Sequence, residues 1–165
     1  MRAPTPERLQ FDGQCLIVLE RTLLAAAPEE GCALLLGQQL QTTLQLQWIW
    51  PCRNIWQPAE ERQRRFSLDP REQLLAQRWS RDHGLIVLGA AHSHPTSEAV
   101  PSSIDQQLCV GPTLMLIRSG LQHGMGAFRA WWMPEGDGDL PTAAPPRELP
   151  IGAPAAAGRA ERLGE

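Results

Sequence analysis

Apolar positions along the chain follow two periods, and the alternation between them predicts the elements. Leu16, Leu19, Leu23, Leu24 and Ala27 recur at helical spacing; with Asp12 placed as a cap and Pro28 as a stop, a helix is expected over Gly13 to Ala27. Ala33 to Gly37 is a short apolar run of the kind that makes a buried strand, and Gln38 to Gln41 reads as a polar turn. Thr43 to Trp50 alternates, with Leu44, Leu46, Trp48 and Trp50 on one face and Gln45 and Gln47 on the other. That is a half-buried strand pairing back on its predecessor. Cys52 to Arg65 is a polar, charged connection, and Arg65 to Leu68 reads as a short strand. Asp69-Pro70-Arg71-Glu72 is a strong helix start, and the helix carries Leu74, Leu75 and Trp79 as far as Gly84. A core strand follows over Gly84 to Ala90, then a short helix near Ser102, then strands over Thr113 to Ile117 and Gly126 to Trp132.

This order, α-β-β-β-α-β-(short helix)-β-β, predicts a mixed α/β sandwich whose central sheet is covered by helices. Residues 1–10 read as an extended lead-in and 11–133 as one folded domain. Residues 134–165, rich in Pro, Ala and Gly, read as a largely disordered tail.

Composition removes several classes of function. With 15 Lys+Arg against 18 Asp+Glu the formal charge is −3, which argues against a nucleic-acid partner held by phosphate contacts. No apolar run approaches the roughly 20 residues that span a bilayer. Met1 to Arg8 lacks the apolar core of a signal peptide, so a cytoplasmic protein is expected. Four cysteines (Cys15, Cys32, Cys52, Cys109) stand far apart without a Cys-x-x-Cys pair, so they read as reduced packing residues.

Candidate chemistry gathers at the end of the Gly84–Ala90 strand, in Ala91-His92-Ser93-His94-Pro95. Residues i and i+2 of a strand share a face, so both imidazoles can converge, and Pro95 closes the strand behind them. Ser102 and Asp105 share a helix face, where they also have the spacing of a capping box. Two His and a carboxylate at one corner suit zinc with an open fourth position. A water held there needs a base, and spacing alone leaves Glu29 and Glu30 as competitors.

His92-Ser93-His94-Pro95 followed by Ser102 and Asp105 resembles the JAMM (MPN-plus) zinc metalloproteases, whose pattern is Glu, His-x-His-Pro, Ser and Asp in that order. Pro28-Glu29-Glu30-Gly31-Cys32-Ala33-Leu34-Leu35-Leu36-Gly37 is similar to the family's Pro-x-Glu-x-Cys-Gly-x-Leu-x-Gly, with Ala33 in place of Gly. The resemblance runs from about Leu16 to Met133. It implies a cytidine-deaminase-like α/β/α sandwich, with His92, His94 and Asp105 as Zn²⁺ ligands. It further implies Glu30 rather than Glu29 as the proton acceptor and Ser102 as the group that steadies the oxyanion. The implied reaction is hydrolysis of an amide bond at the C-terminal Gly-Gly of a ubiquitin-like or sulfur-carrier protein, as in small stand-alone bacterial members. A catalytically silent scaffold and an amidase acting on a small molecule are the alternatives. Base deamination is unsupported, because no Pro-x-Cys-x-x-Cys is present.

Overall fold

One mixed sheet carries the molecule in the computed structural model, which describes residues 2–135 and 144–154. Its strands are β1 (Arg8–Gln10), β2 (Cys32–Leu40), β3 (Thr43–Cys52), β4 (Ile86–His94), β5 (Thr113–Ser119), β6 (Phe128–Met133), β7 (Arg147–Leu149) and β8 (Ile151–Gly152). Helix α1 spans Gly13–Leu24, α2 Pro70–Asp82 and α3 Ser103–Leu108. The strand order is β7-β6-β5-β4-β2-β3-β1-β8. β2 lies antiparallel to both β3 and β4, whereas β4 and β5 are parallel. This is the expected α/β architecture with a mixed central sheet.

β2 shows why helices lie on both faces. Ala33 and Leu35 enter the core built around Leu19 and Leu23 of α1, while Leu34 and Leu36 enter a second core with Ala76 of α2. A strand buried on both sides reads as a continuous apolar run, and that is its sequence. Asp12 caps α1 by accepting from the Cys15 N–H at 2.9 Å, and Asp69 caps α2 by accepting from Arg71 at the same distance.

Several expectations need correction. α1 ends at Leu24 rather than Ala27, and Leu24 is exposed. α2 turns Ala76 and Ser80 to the sheet and leaves Leu74 and Leu75 largely in solvent, because small residues let the helix approach closely. In β3 the alternation slips. Leu36 pairs with Trp48 but Gly37 pairs with Leu46, so Gln47 is an extra residue, a bulge. Beyond it Ile49, not Trp48, faces the α1 core, while Trp48 and Trp50 lie against Trp79 of α2. No strand forms over Arg65 to Leu68. The lead-in contains β1, which pairs in parallel with β3.

The largest correction concerns the expected disordered tail. Residues 147–152 form one extended segment: β7 pairs with β6, and β8, just past Pro150, pairs with β1 at the opposite edge of the sheet. Leu149 is 2% exposed and lies in the α1 core. The rest of that expectation, at 136–143 and 155–165, falls outside the described residues.

All four cysteines are free. Burial pushes the Cys15 and Cys32 thiols up to about 12, with Asp12 and Cys52 respectively adding to it, and burial pushes Cys52 up to about 11. A thiolate is the reactive form. A thiol reagent at pH 8 is therefore expected to count well under four thiols in the native protein and four in denaturant. A native count of four would contradict this packing.

Candidate metal centre

The centre forms where two strands meet end to start. His92 and His94 close β4, side by side on the face that carries α2 and α3. β2 runs antiparallel to β4 with Cys32 opposite His92, which brings Glu30, just ahead of β2, to the same corner. Ser93, between the two histidines, secures that approach. Its N–H donates to Gly31 O at 3.0 Å, and its Oγ accepts from the Gly31 N–H at 2.8 Å. Gly31 must be glycine here, since a Cβ would lie 2.5 Å from Leu23 O. α3 supplies the fourth group. Ser102 and Asp105 form a capping box, Asp105 accepting from the Ser102 N–H at 2.9 Å and Ser102 Oγ from the Asp105 N–H at 3.0 Å. The cap and the site are thus the same residues, and Ser102 keeps its hydroxyl proton free of the capping box.

Three donor atoms then stand in a near-equilateral triangle. His92 Nε2 lies 3.1 Å from His94 Nε2 and 3.1 Å from Asp105 Oδ2, and His94 Nε2 lies 3.2 Å from the same oxygen. Tetrahedral zinc with bonds of about 2.0–2.2 Å has ligand–ligand edges of roughly 3.3–3.6 Å, so the triangle is slightly tighter than one face of that polyhedron. Glu30 Oε1 is farther off, 3.9 Å from His94 Nε2. Glu30, His92 and His94 together offer donor atoms within 4.8 Å of one another and could hold a metal ion. Among the described residues Glu30 Oε2 is buried without a hydrogen-bond partner, as is His92 Nδ1. Donor set, spacing and orphaned oxygen all fit a divalent cation. The second ring nitrogen of His94 meets Glu98 O at 2.7 Å, which orients its ring. Phe66 stacks on His92, with ring centroids 4.3 Å apart.

Burial and mutual charge set the protonation of the cluster. Burial drives Glu30 up to about 8, His94 opposing and Asp105 reinforcing the shift. Burial also works against ionised Asp105, but hydrogen bonds from both imidazoles outweigh it and hold the carboxyl far below its usual range. His92 is lowered by burial despite Asp105. For His94, burial is overcome by Asp105 and the Glu98 carbonyl, and the pKa rises. A cation in the triangle would favour ionised Glu30.

The structure thus brings Glu30, His92, His94, Ser102 and Asp105 to one corner. Glu29 is half-exposed, outside the cluster. Ser93 and Phe66 were not legible as contributors. Their residue types are ordinary for a strand or loop, and their contacts, with Gly31 and His92, are long-range.

Fold and site together define a mixed α/β domain carrying a cluster of Glu and His that could hold a metal ion. Residues 15–134 match the prokaryotic homologues of the JAB domain, and the chain belongs to that family. Its fold is similar to the solution structure of a protein from Desulfitobacterium hafniense, with 26% identity over 88% of this chain and 92% of that one, at a TM-score of 0.72. It is also similar to a solution structure from Salinibacter ruber, with 26% identity over 90% and 93% and a TM-score of 0.63. No curated protein matches.

Proposed function

We propose that this domain is a zinc-dependent metallopeptidase or isopeptidase that hydrolyses the amide bond after the C-terminal Gly-Gly of a ubiquitin-like or sulfur-carrier protein. The observation that carries it is the triangle of His92, His94 and Asp105 donor atoms with the Glu30 carboxylate beside it, its Oε2 buried without a partner. In this reading His92, His94 and Asp105 hold Zn²⁺. Zinc, when bound, supplies Lewis acidity and lowers the pKa of water to about 7. Glu30 stands back from the triangle by a water's reach, takes the proton of the attacking water and delivers it to the leaving amine. Ser102 directs its free hydroxyl proton at the developing oxyanion.

The approach to the site supports a peptide substrate. A cavity of about 480 Å³ reaches His92 and Asp105 and is walled largely by apolar groups, among them Trp56, Phe66, Ile104, Leu108 and Met115. A Gly-Gly end meets the buried centre without side-chain clash, and the residues before it have an apolar bed. The free thiols suit a reducing compartment such as the cytoplasm. Among the described residues no helix is long and apolar enough to cross a membrane.

Protein purified without chelators is expected to carry about one zinc per chain, and His92→Ala to lose it. A folded chain with less than about half a zinc would point to a silent scaffold. A carrier protein fused through its Gly-Gly end to a reporter is expected to be cut at that bond. Cleavage of small amides alone would favour the small-molecule amidase.

A further inference from the structure

We propose that Asn54 is a positioning residue that fixes the backbone of Glu30 and the wall of the apolar cavity together; this rests on the reading of Glu30 as the base. Asn54 lies just past β3, at the start of the connection that runs to α2. Its Nδ2 donates to Arg65 O at 2.8 Å and Glu30 O at 3.1 Å, with Arg62 O at 3.4 Å. Its Oδ1 accepts from the Trp56 and Ser67 N–H groups at 3.1 and 3.2 Å. One side chain therefore serves four backbone groups of a segment that has no ladder of its own and ties that segment to Glu30 O. Glu30 is also tied through its N–H, which donates to Arg62 O at 2.8 Å. Both backbone polar groups of Glu30 thus end on this connection, and Gly31 ends on Ser93. The same connection supplies Trp56, Phe66, Ser67 and Leu68 to the cavity and stacks Phe66 on His92.

This arrangement needs an amide. A carboxylate of the same shape can still accept from Trp56 and Ser67 but cannot donate to the three carbonyls. The sheet, the capping box and the donor triangle do not use Asn54, so its loss moves the base and the wall and leaves the metal ligands in place. A displacement of about 1 Å at a reacting group costs on the order of 100-fold in rate.

The test compares Asn54→Asp and Asn54→Ala with the unaltered full chain by amide hydrogen exchange, zinc content, and kcat and KM on the Gly-Gly fusion. In both variants exchange at the Glu30 amide, which donates to Arg62 O on this connection, is expected to quicken about tenfold as the connection loosens. Exchange in the β2–β4 ladder and zinc content are expected to stay as they were. kcat is expected to fall about 100-fold and KM to rise, because base and wall are disturbed together. A merely structural role would lower zinc content and kcat in parallel at constant KM, and that result, or unchanged exchange at Glu30, overturns the proposal. If the unaltered protein cuts no such fusion, the proposed substrate fails separately, and exchange at Glu30 still decides whether Asn54 holds that backbone.

Discussion

Glu30→Gln is expected to keep its zinc and lose turnover by about 10²- to 10⁴-fold, the range that a positioned general base contributes. Glutamine has the shape of the carboxyl but no lone pair basic enough to take a proton from water. The substitution should also be cheap for folding. Burial already favours the uncharged carboxyl, raising its pKa to about 8, so a neutral amide suits the pocket. Glu30 is 3% exposed and stands outside the His92–His94–Asp105 triangle, so the three closest donor atoms survive the change. The control is Glu29→Gln. Glu29 lies outside the cluster, so its substitution is expected to leave zinc and turnover nearly unchanged. Single-turnover cleavage of the Gly-Gly fusion, with zinc measured on the same samples, separates the outcomes. An active, zinc-loaded Glu30→Gln, or a dead Glu29→Gln, removes Glu30 from the role of base.

How much of this centre was legible follows from how far apart its parts lie in the chain. His92, His94, Ser102 and Asp105 belong to one strand–turn–helix corner, where periods of two and three residues decide which side chains meet. Glu30 arrives from another strand, through the pairing of Cys32 with His92, and no spacing encodes that register. Only the resemblance of Pro28 to Gly37 to a known pattern separated it from Glu29. Asn54 was less legible still. An Asn at a strand end is ordinary turn chemistry, and its importance comes from carbonyls 8, 11 and 24 residues away. In the fold, the pattern failed where geometry interrupts it. The bulge at Gln47 turned Trp48 and Trp50 to the α2 side, and the small residues Ala76 and Ser80, which draw α2 onto the sheet, carry no apolar signal.

Composition also misled at the C-terminal end, and the consequence there is large. Ending the chain at Met133 is expected to destabilise the domain by several kcal/mol, a large part of the roughly 5–15 kcal/mol that a domain possesses. A Pro- and Ala-rich segment reads as disordered because little of it can be buried, but Leu149 alone changes that balance. It sits in the α1 core with Leu9 and Phe11 at its side of the sheet. Its neighbours close both sheet edges: β7 extends β6, Leu9 N–H donates to Pro150 O at 3.0 Å, and Phe11 N–H to Gly152 O at 3.2 Å. Removing the segment opens the core at Leu149 and strips partners from two edge strands, the more serious for β1, which has only three residues. The single change Leu149→Ala should cost about 2–5 kcal/mol. In a domain of this size that lowers Tm by roughly 5–15 °C. Glu148→Ala is the matched control one residue away. Its carboxylate pairs with Arg129 in solvent at 2.6 Å, and an exposed pair contributes at most about 1 kcal/mol. Thermal denaturation of the three variants decides the matter. A chain ending at Met133 that melts with the full one would make the segment a dispensable tail, whereas a collapse of Tm shared with Leu149→Ala and absent in Glu148→Ala makes it the strap that holds the two edges of the sheet around α1.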